Sequence, residues 1–132
     1  MNKLLQIFAF PILVLVVHAI LVFFQAYALF DWVDIPMHFL GGIAIGNSFF
    51  LLLKLWQQQG FLGKTDSRVF LLFVVSLVAL IIVVWEFLEF GAGRLGLMCY
   101  RPDLVDTLQD LFLGLLGGIL GGLIAHHFSK KN

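Results

Sequence analysis

Charge is scarce in this chain. Lys, Arg, Asp and Glu make up 12% of its 132 residues, against roughly 25% in a soluble domain. The charge present also cancels, eight basic against eight acidic residues. That excludes the basic field by which a protein gathers nucleic acid. Cysteine is nearly absent. The single Cys99 excludes an internal disulfide framework and a cysteine-rich zinc or iron–sulfur site. The excess is apolar: 61% of residues are hydrophobic and the mean hydropathy is +1.04. A disordered chain and an ordinary soluble domain are both excluded. A small integral membrane protein remains, a single transmembrane domain over residues 1–132.

A helix crossing the hydrocarbon needs ~20 apolar residues. Four runs meet this, at about 4–30, 35–56, 69–90 and 104–128. The first is far longer than the ~7–15-residue core of a signal peptide, so it is read as a retained span. Gln57 to Arg68 supplies the one plainly polar loop, and the other connections are short. Short connections make successive helices antiparallel, which predicts an all-α, up-down four-helix bundle. Lys3, Lys54, Lys64, Arg68, Lys130 and Lys131 fall on one side of such a bundle, and Arg94 and Arg101 on the other. That bias predicts both termini in the cytoplasm, in a plasma (bacterial or archaeal inner) membrane.

The acids are distributed the opposite way. Of the eight, only Asp66 falls on the lysine-rich side; Asp31, Asp34, Glu86, Glu89, Asp103, Asp106 and Asp110 lie at or just below the other. At 1.5 Å rise per residue, His38, Glu86 and Asp110 lie ~6–9 Å inside their helix ends. Asp34/His38, Glu86/Glu89 and Asp106/Asp110 are each spaced to share one helix face. Carboxylates inside a membrane normally face the bundle interior or a wet cavity and have a partner. Few cations are at hand, so either some of the acids carry protons or a bound cation offsets them. Asp34, His38, Glu86, Glu89, Asp106 and Asp110 are therefore candidate ligands of a divalent metal ion. Oxygen donors suit Mg, Mn or Ca, and the histidine admits Zn.

Plainer roles exist for several of these groups. Asp34 before Pro36, and Asp103 after Pro102, are suited to cap helices, and Asp106 in a first turn is favoured by the helix dipole. For Asp31 and Asp103 the capping role is preferred; for Asp34 and Asp106 both stay open. Capping does not account for Asp110, a turn deeper, or for Glu86 and Glu89 at a C-terminal helix end, where the dipole disfavours negative charge. His18 sits mid-span in the first run, away from the acids, and is expected to hydrogen-bond another helix. His126 and His127 are expected at a solvated end. Trp32, Trp56, Trp85 and Tyr100 suit an interfacial belt. Gly114, Gly117, Gly118, Gly121 and Gly122 in the fourth run, with Gly42 and Gly46 in the second, form small-xxx-small rows that let helices approach closely. They predict contact of the second and fourth helices, or a homodimer.

Three motifs stand in order: Asp34-Ile-Pro-Met-His38 through Gly42, Trp85-Glu86-Phe-Leu-Glu89, and Asp106-Thr-Leu-Gln-Asp110-Leu before Gly117-Gly118. The set resembles the YjdF-like bacterial and archaeal membrane proteins and, more distantly, the VanZ-like proteins. Over about residues 34–118 the pattern is similar: Asp and His opening one helix, Trp-Glu-x-x-Glu ending another, Asp-Thr-x-x-Asp-Leu before a glycine pair. Relatives often carry Asn or Asp where this chain has Gly114, and they have additional helices. The resemblance supports the helical fold and the site. It adds little biochemistry beyond a link, through VanZ-like proteins, to the cell envelope.

Three functions are consistent with these features. The first is a cation-binding site facing the outer leaflet, with Arg94 and Arg101 holding an anionic, phosphate-bearing lipid headgroup. If catalytic, it would be a metal-dependent lipid-phosphate hydrolase or transferase with Glu86 or Asp110 as ligand or base. The second is an ion or proton pathway, against which the cytoplasmic halves of the spans are almost purely apolar. The third is an accessory subunit in which the acids fix bundle register. The cation site is the preferred reading.

Overall fold

A computed structural model describes residues 2–97 and 103–129, with only the backbone at Asp31. The described chain is helical: α1 (Lys3–Phe23), α2 (Ala26–Leu29), a 3-10 turn at Asp31–Val33, α3 (Asp34–Gln58), α4 (Ser67–Arg94) and α5 (Leu104–Ser129). Four of these helices, α1, α3, α4 and α5, are long and apolar enough to cross a membrane. Cys99, Tyr100, Arg101, Lys130 and Lys131 lie outside the described residues.

The centre of the molecule is the pair α3–α5. Gly42 and Gly46 of α3 lie directly against the Gly114 and Gly118 carbonyls of α5. Gly117 and Gly121 lie against the Phe39 and Ile43 carbonyls in return. A Cβ at any of these four glycines would collide with backbone. The pairing is parallel, since position 42 meets 114 and, farther along, Lys54 Nζ donates to Ser129 Oγ at 2.6 Å. Helices separated by one intervening span run the same way, so glycine contact joins the second and fourth spans without a loop between them.

α4 closes one side of this pair. Val74 and Ile82 pack closely over Gly122 and Gly114, and Val78 covers Gly118. Phe50, Leu53, Phe70, Val74, Val78 and Ile82 form the buried core. It fills the half of the bundle away from most of the acids. His126 belongs to this half: its ring meets Phe50 edge-on at 5.7 Å, while His127 is exposed. The expected solvated histidine pair is thus split.

α1 has no buried residue and packs chiefly on α3. Its attachment follows from one proline. Pro11 lies inside α1 and has no N–H, so the Ile7 carbonyl four residues earlier loses its helical donor. Ser48 Oγ of α3 donates to that carbonyl at 2.6 Å. In an apolar medium an unmet carbonyl is costly, so the broken bond becomes a tie between helices.

The first run does not continue as helix to residue 30. α1 ends at Phe23 and Gln25 takes a left-handed conformation, φ 55°. Twenty-one residues already span ~31 Å, enough for a ~30 Å core. The remaining residues turn back, and Tyr27 is buried against the bundle.

Candidate functional site: a histidine ringed by carboxylates

The site forms where the upper turns of α3, α4 and α5 meet. On α3, Asp34 and His38 are one turn apart, and His38 Nε2 lies 3.2 Å from Asp34 Oδ1. α4 brings Glu86 Oε1 to 3.5 Å from His38 Nδ1 and Glu89 Oε2 to 3.6 Å from Nε2. α5 brings Asp110 Oδ2 to 3.8 Å from Nε2. One imidazole therefore stands among four carboxylates from three helices. The acids are buried: Glu86, Glu89 and Asp110 are 5%, 4% and 2% exposed.

The charge balance is unfavourable as it stands. A protonated imidazole supplies one positive charge against up to four negative ones. Two like charges ~5 Å apart repel by roughly 3 kcal/mol at an effective dielectric of ~20. Hydrogen bonding does not relieve this fully. Glu86 Oε1 and Asp110 Oδ1 are buried with no hydrogen-bond partner among the described residues. Glu86 Oε1 is within 3.5 Å of His38, but not in hydrogen-bonding alignment.

The geometry suits a cation. Ligand atoms of Asp34, His38 and Asp110 lie within 4.8 Å of one another, as do those of His38, Glu86 and Glu89. Two ligands at right angles around an ion stand √2 bond lengths apart, about 3.0 Å for octahedral magnesium and about 3.4 Å for calcium, and the ligands of a tetrahedral zinc stand about 3.4 Å apart. The 3.2–3.8 Å separations around His38 are near that range.

Five of the six ligand candidates thus gather around His38. Asp106 belongs to neither group of three. It lies in the first turn of α5, ~6 Å further out than Asp110, and is half-buried. Asp34 does not cap α3. Its backbone is already helical, φ −64° and ψ −43°, and α3 has no side-chain cap. Asp103 does cap α5, accepting from the Val105 and Asp106 N–H groups at 2.8 and 2.9 Å. Arg94 is exposed at the end of α4, its guanidinium 5.5 Å from the centre of the Phe90 ring. Arg101 lies outside the described residues.

His18 is placed differently from the sequence expectation. Because α1 ends at Phe23, His18 is only ~8 Å from that end, a depth similar to that of His38. It is hydrogen-bonded through Nδ1 to the Tyr27 hydroxyl at 2.8 Å, and its ring meets Trp85 edge-on at 5.2 Å. The bond lies between α1 and the short α2, both within the first apolar run. Burial, with the Asp34 and Glu89 charges nearby, holds the Tyr27 hydroxyl above the ordinary phenol range. Tyr27 therefore stays protonated. Trp85 is half-buried and packs beside His18. No signal in the sequence distinguished it from Trp32, which is 65% exposed.

No curated protein and no solved structure matches the chain. One family does, over residues 1–131: the chain belongs to the family of predicted membrane proteins designated DUF2238.

Proposed function

We propose that the cluster around His38 binds one divalent cation. The observation that carries this reading is the convergence of four carboxylates from three helices on one imidazole, two of them with buried, unpartnered oxygens. A cation offsets the surplus negative charge and supplies those oxygens with a partner. The ligands are drawn from the two groups that share His38, Asp34 with Asp110 and Glu86 with Glu89, oxygen and nitrogen donors that suit Mg, Mn, Ca or Zn. The lysine-rich opposite end supports a cytoplasmic location for both termini and an outward-facing site.

An ion held here is suited to the phosphate of an anionic envelope lipid, which Arg94, exposed at the end of α4, would help to hold. The three ordered motifs support kinship with the YjdF-like and VanZ-like proteins, which agrees with a role at the envelope. The test is metal content by mass spectrometry of detergent-purified protein, beside a Glu86→Gln/Asp110→Asn double variant. The expected result is stoichiometric metal in the parent and none in the variant. No metal in either, after exposure to Mg²⁺, Mn²⁺, Ca²⁺ and Zn²⁺, would overturn the reading. The acids would then be a proton-sharing network that fixes helix register, as in an accessory subunit.

A further inference from the structure

A cleft of about 290 Å³ opens between α1, α3 and α4. Its walls are apolar along most of their length, with Phe8 and Val14 on α1, Ile45 and Phe49 on α3, and Ile81 on α4. Polar side chains occur at the two ends. His18 and His38 stand at one, and His38 is also the hub of the carboxylate cluster. Ser48 at the other end is turned to the Ile7 carbonyl. There the Phe8 and Phe49 rings meet edge-on at 6.5 Å, so α1 and α3 are joined across the cleft.

The length of the cleft is informative. From His38 to Phe49 is eleven residues of α3, ~16 Å at 1.5 Å each. From Phe8 to His18 on α1 is ten, or ~15 Å. One leaflet is half of a ~30 Å hydrocarbon core, also ~15 Å. The cleft therefore has a polar mouth at the depth of the cluster, an apolar length of one leaflet and a joined far end. Its floor is made by glycine: a Cβ on Gly41 would have Val14 Cγ1, 4.0 Å away, as its nearest neighbour.

We infer that this cleft holds one hydrocarbon chain of a phosphate-bearing membrane lipid, with the headgroup at the His18/His38 mouth. The headgroup's position rests on the cation reading; the chain's rests on the cleft alone. The joined far end makes the cleft a length gauge, favouring chains that reach about one leaflet and no further.

Trp85 lines the cleft and reports on its contents. In a Trp32→Phe/Trp56→Phe background in detergent, phosphatidic acid with brominated chains is titrated against Trp85 fluorescence. Saturable quenching near one lipid per protein is expected. Gly41→Leu and, from the opposite wall, Val14→Phe displace at least two methylenes and raise the half-saturating concentration about tenfold. Both keep the parent's metal content. Leu120→Phe, on the exposed face of α5, leaves quenching unchanged. In the unfilled protein, affinity rises with chain length and then falls once the chain exceeds the cleft.

Quenching that grows linearly with lipid, or that is the same in both filled variants as in the parent, would mean general lipid contact and overturn the inference. So would a flat dependence on chain length, which is read without any filled variant. Saturable quenching in a parent that binds no metal would uphold the chain site and remove the cation from the headgroup.

Discussion

Asp34 opens α3 with helical backbone angles, so its carboxylate is directed at His38 at 3.2 Å and not at the free N–H groups of the first turn. Asp103 precedes α5 and spends its carboxylate on two such N–H groups. Two aspartates at helix starts, each near a proline, thus have separable roles. Asp103→Ala is expected to lose about 1 kcal/mol of stability while metal content stays at the parent's level. Asp34→Asn should lower the affinity for the ion and leave the start of α3 intact, because no capping bond is removed. Equilibrium unfolding in mixed detergent together with metal titration reads both; interchanged effects would refute the assignment. The sequence left Asp34 open because cap and ligand call for the same residue type. It was more informative for Glu86 and Asp110, since neither lies where a helix needs a carboxylate. Asp106 shares a face with Asp110, but shared faces do not give shared depth, and one turn carries it beyond His38.

At the scale of helices, spacing told which faces would be small and not which close approaches are tight. Gly46 faces the Gly118 carbonyl, whereas Gly41, a turn and a half earlier, looks into the cleft. Gly46→Ala is expected to destabilise the bundle by about 1–3 kcal/mol, the usual range for overpacking. Gly41→Ala should be near neutral, and equal losses at the two positions would contradict the parallel α3–α5 contact. The Pro11–Ser48 relation allows a sharper measurement. Ser48→Ala strands the Ile7 carbonyl and should loosen α1 at a cost of about 1 kcal/mol. In a Pro11→Ala background the helix regains its own donor, so the same substitution should cost much less. A double-mutant cycle with no coupling would show that the serine does not replace the missing amide. Nothing in the sequence linked residues 7 and 48, which are 41 positions apart. The end of α1 was hidden for a related reason: hydropathy stays high past Phe23, so composition does not mark where the helix ends.

Across the whole molecule, four apolar runs and the location of the acids were legible because each is a property of one segment. The cleft was not, because it is the space left when α1 leans chiefly on α3 and α4 chiefly on α5. The same arrangement decides how an ion would act on stability. Its ligands come from α3, α4 and α5 and none from α1, so binding ties three helices and leaves the fourth to its serine bond and the Phe8–Phe49 contact. A ligand present at ~100 times its Kd, binding only the folded state, adds about 2.7 kcal/mol. Saturating divalent cation should therefore raise the unfolding midpoint of the parent and leave that of Glu86→Gln/Asp110→Asn unmoved. Hydrogen exchange should show the gain in α3, α4 and α5, with α1 little changed. Protection spread evenly over all four spans would mean that α1 is coupled to the cluster after all, through His18 and Trp85.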